Sequence, residues 1–191
     1  MNKENGQQNT GKQKEKVLLQ SAKECAFAAV FVALLLASQF VLSSIPGVEI
    51  ISLLFCSYAF CFGVKRGMLV ATAFSLVRQL IFGFFPTVLI LYLLYYNFLS
   101  FVFGVLGKKI KANLKTLAVI VAAACACTAI FSLLDCAITS LWYAYSWKAT
   151  RAYFMASLPV MAVQVICVGI TVGSLFLPIV KLLKGLKKGK M

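Results

Sequence analysis

The chain has 191 residues, 62% of them hydrophobic and only 13% charged, with a mean hydropathy of +0.93. These values exclude an ordinary soluble domain and mark a membrane protein. The net charge of +14 does not mark a nucleic-acid binder, because the basic residues flank apolar runs instead of gathering on one solvated face.

Residues 1–23 are polar and hold Lys3, Lys12, Lys14, Lys16 and Lys23. The apolar run that follows is too long for a secretory signal, so this leader reads as a basic cytoplasmic tail. A crossing needs roughly 20 apolar residues for a hydrocarbon core of about 30 Å. Residues 24–44 form the first expected span, and its CAFAAVFVALLLASQF places Ala29, Ala33 and Ala37 on one stripe. Small residues at that spacing let another helix approach closely.

Glu49 opens the second span, 50–64, which is short for a crossing and calls for a thinned membrane, little tilt, or an irregular segment covered by its neighbours. Lys65 and Arg66 form a basic turn. The third span, 67–85, contains FSLVRQLIFGFFPT and with it Arg78 and Gln79, and the fourth, 88–107, has Asn97 near its middle. Lys108, Lys109, Lys111 and Lys115 follow. The fifth span, 117–142, carries Asp135 in its outer third and repeats the small-residue pattern at Ala118, Ala122 and Ala126.

The stretch LWYAYSWKATRAYF, residues 141–154, reads as an outer loop. It concentrates Trp142, Tyr143, Tyr145, Trp147, Tyr153 and Phe154 around Lys148 and Arg151, a composition that suits both an interfacial aromatic belt and a loop capping a ligand. The sixth span, 157–180, holds Gln164 in its outer third, and residues 181–191 form a second basic tail with Lys181, Lys184, Lys187, Lys188 and Lys190.

With an even number of crossings, every basic residue except Arg78, Lys148 and Arg151 falls on one side of the membrane, which the positive-inside rule makes the cytoplasm. The expected fold is an all-α integral membrane protein, a six-transmembrane-helix bundle with both termini cytoplasmic, whose membrane domain is residues 24–180. The polar side chains within the spans then share one depth. Gln39, Glu49, Arg78, Gln79, Asn97, Asp135 and Gln164 lie from the middle outward, while the inner halves are aliphatic, aromatic or small.

A charge near the bilayer centre costs about 2.5–3.5 kcal/mol on insertion scales, so such groups face the bundle interior with a partner. Arg78 is therefore expected to meet Asp135, Glu49 or an anionic ligand. The seven cysteines sit within the spans or at their ends, lack metal-ligand spacing, and read as small packing residues. With no histidine and two membrane-region acids, an integral-membrane enzyme acting on lipid has little with which to do acid–base chemistry. The same pattern also suits a non-catalytic assembly protein, whose polar residues merely hold helices together; a secondary transporter is a further alternative, against which one short bundle lacks the paired repeats or broken helices expected of many such folds.

This set of features resembles the substrate-binding S components of the energy-coupling factor (ECF) vitamin transporters of bacteria. The resemblance covers residues 23–184 and includes IPGVEIISLLFCSYAFCFGVKRG, 45–67, which is similar to that family's first outer loop, second helix and short basic turn. It implies a multi-pass protein of the bacterial plasma membrane that captures a vitamin or related micronutrient from outside and hydrolyses nothing itself. It further implies association with a transmembrane coupling subunit and two cytoplasmic ATPases, and toppling in the membrane to release cargo. Ala29, Ala33 and Ala37 would match the surface that docks the coupling subunit. No GxxxxGK[ST] segment occurs, so ATP would be used by the partners and no cofactor or metal is expected on this chain.

The substrate-binding candidates are then Glu49, Arg78, Gln79, Asn97, Asp135, Trp142, Tyr145, Trp147, Arg151 and Gln164, in a cavity walled by Phe82, Phe84, Tyr92, Tyr95 and Tyr96. The outer charges favour an anionic or zwitterionic solute.

Overall fold

A computed structural model describes residues 2–42 and 50–188. The described residues form six helices: α1 Asn2–Leu42, α2 Ile50–Phe62, α3 Val64–Phe82, α4 Pro86–Lys109, α5 Leu114–Trp142 and α6 Trp147–Lys188. Four stretches are long and apolar enough to cross a membrane, namely Ala22–Leu42, Pro86–Lys109, Leu114–Trp142 and Trp147–Lys187, with mean hydropathies between 2.0 and 2.5. Large apolar side chains face outward from them: Val41 of α1 is 71% exposed, Leu141 of α5 81% and Ile170 of α6 66%. Such a surface is stable in acyl chains and unstable in water, so this is a multi-pass membrane protein.

Short connections set the directions of the helices. Single Gly63 joins α2 to α3, residues 83–85 join α3 to α4, 110–113 join α4 to α5, and 143–146 join α5 to α6, so sequential neighbours run antiparallel. While Arg78, Lys148 and Arg151 lie toward one end, Lys65, Arg66, Lys108, Lys109, Lys184 and Lys187 are thereby gathered at the other. There Arg66 of α3 forms an ion pair with Glu24 of α1, and Lys187 Nζ donates to the Cys61 carbonyl of α2 at 3.1 Å. That cation satisfies a carbonyl at the C-terminal turn of α2, where the helix dipole favours positive charge.

The 13-residue α2 is the axis of the packing. At about 1.5 Å per residue it is only about 20 Å long, too short to cross on its own. It is tolerated because α1, α3, α4, α5 and α6 sheathe it and Ile51–Leu53 and Phe55–Cys61 are buried. Phe55 packs on Phe74 at 5.3 Å between ring centroids and on Tyr96 at 4.4 Å, tying α2 to α3 and α4 by edge and offset-stacked contacts. Close approach at the other end depends on glycine. A Cβ on Gly104 of α4 would stand 2.6 Å from the Val64 backbone nitrogen, and Gly63 itself holds φ +84°, which a side chain resists.

Three expectations change. Residues 141–154 are not a loop: only 143–146 connect α5 to α6, and Trp147–Phe154 are the first turns of α6. Ser146 starts that helix, its Oγ accepting the Ala149 N–H at 3.4 Å. The leader is helical from Asn2, continuous with α1; lysine, glutamine and glutamate are strong helix formers, and extension of a formed helix needs no new nucleus. The C-terminal lysines likewise extend α6, which accommodates Pro159 and Pro178 in its interior.

Gly104→Val is expected to lower the melting temperature of the detergent-purified protein, since overpacking against backbone costs about 1–3 kcal/mol. Gly185→Ala, where an added Cβ meets nothing within 4 Å, is expected to hold or raise it. Equal melting temperatures for the two variants, followed by circular dichroism, would contradict the close packing of α4 on the α2–α3 turn.

Candidate binding cavity

At the end of the bundle opposite the lysines, α1, α2, α3, α4, α5 and α6 enclose a cavity of about 450 Å³. Its wall combines the polar side chains Gln39, Arg78, Asp135 and Gln164 with the rings of Phe82, Tyr92, Tyr96 and Phe131. Each helix contributes through the same geometry: residues in the C-terminal halves of α1, α3 and α5 and the N-terminal halves of α2, α4 and α6 line it.

Arg78 lies between two rings, its guanidinium carbon 4.8 Å from the Tyr92 centroid and 5.2 Å from that of Phe82. Its Nε and Nη1 are buried and have no hydrogen-bond partner among the described residues. Nor does it form an ion pair there: among the described residues the salt bridge is Arg66 with Glu24. Cation–π contact supplies about 0.5–2 kcal/mol, less than the hydration and hydrogen bonds a buried guanidinium gives up. Among the described residues the site is therefore short of an anion or acceptor for Nε and Nη1.

Asp135 does not supply it directly. Its Oδ2 accepts the Tyr153 hydroxyl at 2.8 Å, and Asp135, Gln164 and Phe131 also line a second cavity of about 290 Å³ with Ser132, Tyr153 and Ser157. The two chambers share those three residues as a common wall. Gln39 Nε2 donates to the Tyr92 hydroxyl at 3.2 Å, tying α1 to α4 at the cavity, while its Oε1 is buried with no partner among the described residues. Ser132 donates to Gln164 Oε1 at 3.4 Å.

No family model, no curated protein and no solved structure matches the chain. The site therefore rests on its own geometry.

Of the sequence candidates, Arg78, Asp135 and Gln164 converge on the cavity. Gln79, 5% exposed, instead accepts the Phe85 N–H at 3.0 Å and holds the α3–α4 turn. Asn97 exchanges hydrogen bonds with Thr72 at 3.3–3.4 Å and donates to the Leu93 carbonyl, acting as a link between α3 and α4. Trp142, Tyr145, Trp147 and Arg151 are exposed and outside both chambers; Tyr145 packs on Tyr143 and Tyr153. Phe84 is exposed, and Tyr95 is buried against Phe131 at 4.6 Å. Glu49 lies outside the described residues. Ala29, Ala33 and Ala37 form an exposed face of α1.

Sequence reasoning missed Phe131, Ser132 and the Asp135–Tyr153 bond. A spacing of 18 residues across a turn of unknown length carried no signal for that bond. Because Arg78 is under-satisfied, Arg78→Met is expected to hold or raise the melting temperature of the ligand-free protein. A fall of more than about 3 °C by differential scanning fluorimetry, the scale of a lost stabilising contact, would mean that Arg78 has a structural partner.

Proposed function

We propose that the chain is the membrane-embedded substrate-binding component of an ECF-type importer, which captures a vitamin or related micronutrient from outside a bacterial cell. In this reading the chain crosses the plasma membrane six times, with α2 and α3 completing the set begun by the four long spans, and both basic termini face the cytoplasm. The observation that carries the reading is a solute-sized cavity holding a guanidinium whose buried Nε and Nη1 have no acceptor among the described residues. Sites for small molecules are mostly apolar chambers with a few placed polar groups, and their usual volumes bracket this one.

Capture follows from the chemistry of the wall. Solute displaces water from the rings, Arg78 takes its most electronegative group, and Asp135, Gln39 and Gln164 fix its remaining polar atoms. The exchange of weakly held water for charge-assisted hydrogen bonds holds the solute. Energy for release comes from the coupling subunit and its two ATPases. The exposed alanine face of α1 suits the docking of that coupling subunit, because small side chains admit a close helix. Gln39 lies on the same helix, so cavity and docking face belong to one rigid element.

Mass spectrometry of small molecules retained through purification from cells grown in rich medium is expected to find a solute on the unmutated chain and not on Arg78→Ala. Equal retention by the two would remove Arg78 from the site. Ala33→Trp is expected to abolish co-purification of a second membrane protein and of ATPases while leaving the solute bound. Undiminished co-purification would displace the docking surface from α1.

A further inference from the structure

We propose that the cavity takes an amphoteric small molecule, with a planar unsaturated body, an acidic group that meets Arg78, and a protonated nitrogen or comparable N–H donor that meets Asp135. The inference rests on the solute-binding reading above and adds the charge type of the solute. Arg78 and Asp135 face the same chamber without forming an ion pair, since among the described residues the one salt bridge within 4.0 Å is Arg66–Glu24 at the opposite end. Each charge is thus presented to whatever fills the space between them.

That arrangement discriminates among solutes. A neutral solute would strip water from both charges and give neither a counter-charge, which is the costly outcome for buried ions. A purely anionic solute would satisfy Arg78 but bring like charge up to Asp135. A purely cationic one would do the reverse. An amphoteric solute alone answers both ends, and like-charge juxtaposition rejects the others.

The rest of the wall agrees with the polarity. The Tyr153 hydroxyl donates to Asp135 Oδ2 at 2.8 Å, which orients the carboxylate and leaves acceptor capacity on both oxygens. Gln39 adds a buried Oε1 without a partner among the described residues. The acceptors therefore await donors, while Arg78 offers only donors. The rings of Phe82 and Tyr92 flank the guanidinium at 5.2 and 4.8 Å, and with Phe131 they make walls that favour a flat π-system over a bulky aliphatic body.

The test incubates the purified full chain with an ultrafiltrate of yeast extract, washes it, releases bound molecules by denaturation, and runs them by capillary electrophoresis at pH 2 and pH 10. The expected retained molecule migrates as a cation at pH 2 and as an anion at pH 10. Arg78→Gln and Asp135→Asn, checked for helix content and monodispersity, should each retain it at least about 30-fold less, the factor that corresponds to loss of one partner of a buried charge pair. A retained molecule that is only acidic, only basic or neutral, or full retention by a folded Asp135→Asn, overturns the amphoteric assignment while leaving solute binding intact. No retained molecule on the unmutated chain overturns the solute-binding reading, and the assignment with it. If a variant fails to fold, the migration of the molecule held by the unmutated chain decides.

Discussion

The fold and its cavity turn on an arginine held between two aromatic rings near the C-terminal end of α3, with its buried Nε and Nη1 lacking an acceptor among the described residues. Membrane proteins accept such a group where a neighbouring carboxylate neutralises it or where it serves the occupant of a cavity. Asp135 is the described acid of the cavity wall, and it is turned to Tyr153. Among the described residues the charge of Arg78 is thus left without a counter-charge, and in the proposed function a bound solute supplies it and stabilises the protein.

The rest of the fold holds that chamber open at one end and closed at the other. Toward the lysines the helices come together on glycine, with α4 against the α2–α3 turn at Gly104, while nearer the cavity α2 packs in a lattice of Phe55, Phe74 and Tyr96. Toward the cavity the same helices are separated by large polar and aromatic side chains. A short central helix is what permits this. Because α2 begins at Ile50 and spans only 13 residues, its N-terminal end lies at the cavity wall, where Ile51 contributes. Five helices can then surround a space instead of a sixth helix filling it.

Much of this was legible in the sequence, because hydropathy and lysine placement act over whole helices. The six helices, the shortness of the second one, and the common depth of Arg78, Asp135 and Gln164 all follow from such long-wavelength signals; the central position of α2 does not. What was not legible depends on local geometry. The α5–α6 turn places Ala144 at φ +48° with no glycine to announce it, so the aromatic stretch read as one long loop when all of it but residues 143–146 is helix. Gln79 and Asn97 lay at the same depth as Arg78, yet rotation about the helix axis sends them to a turn and to Thr72. Depth is encoded by rank along a helix; facing is encoded by packing, and the even apolarity of these helices hides it.

The most direct measurement of the central claim is the reactivity of Arg78→Cys toward a charged, membrane-impermeant thiol reagent added to intact cells, with the unmutated chain as background for the seven native cysteines. Labelling from outside, blocked when yeast-extract ultrafiltrate is present, is the result the account predicts. Labelling from the cytoplasmic side alone, or none from either side, would contradict it.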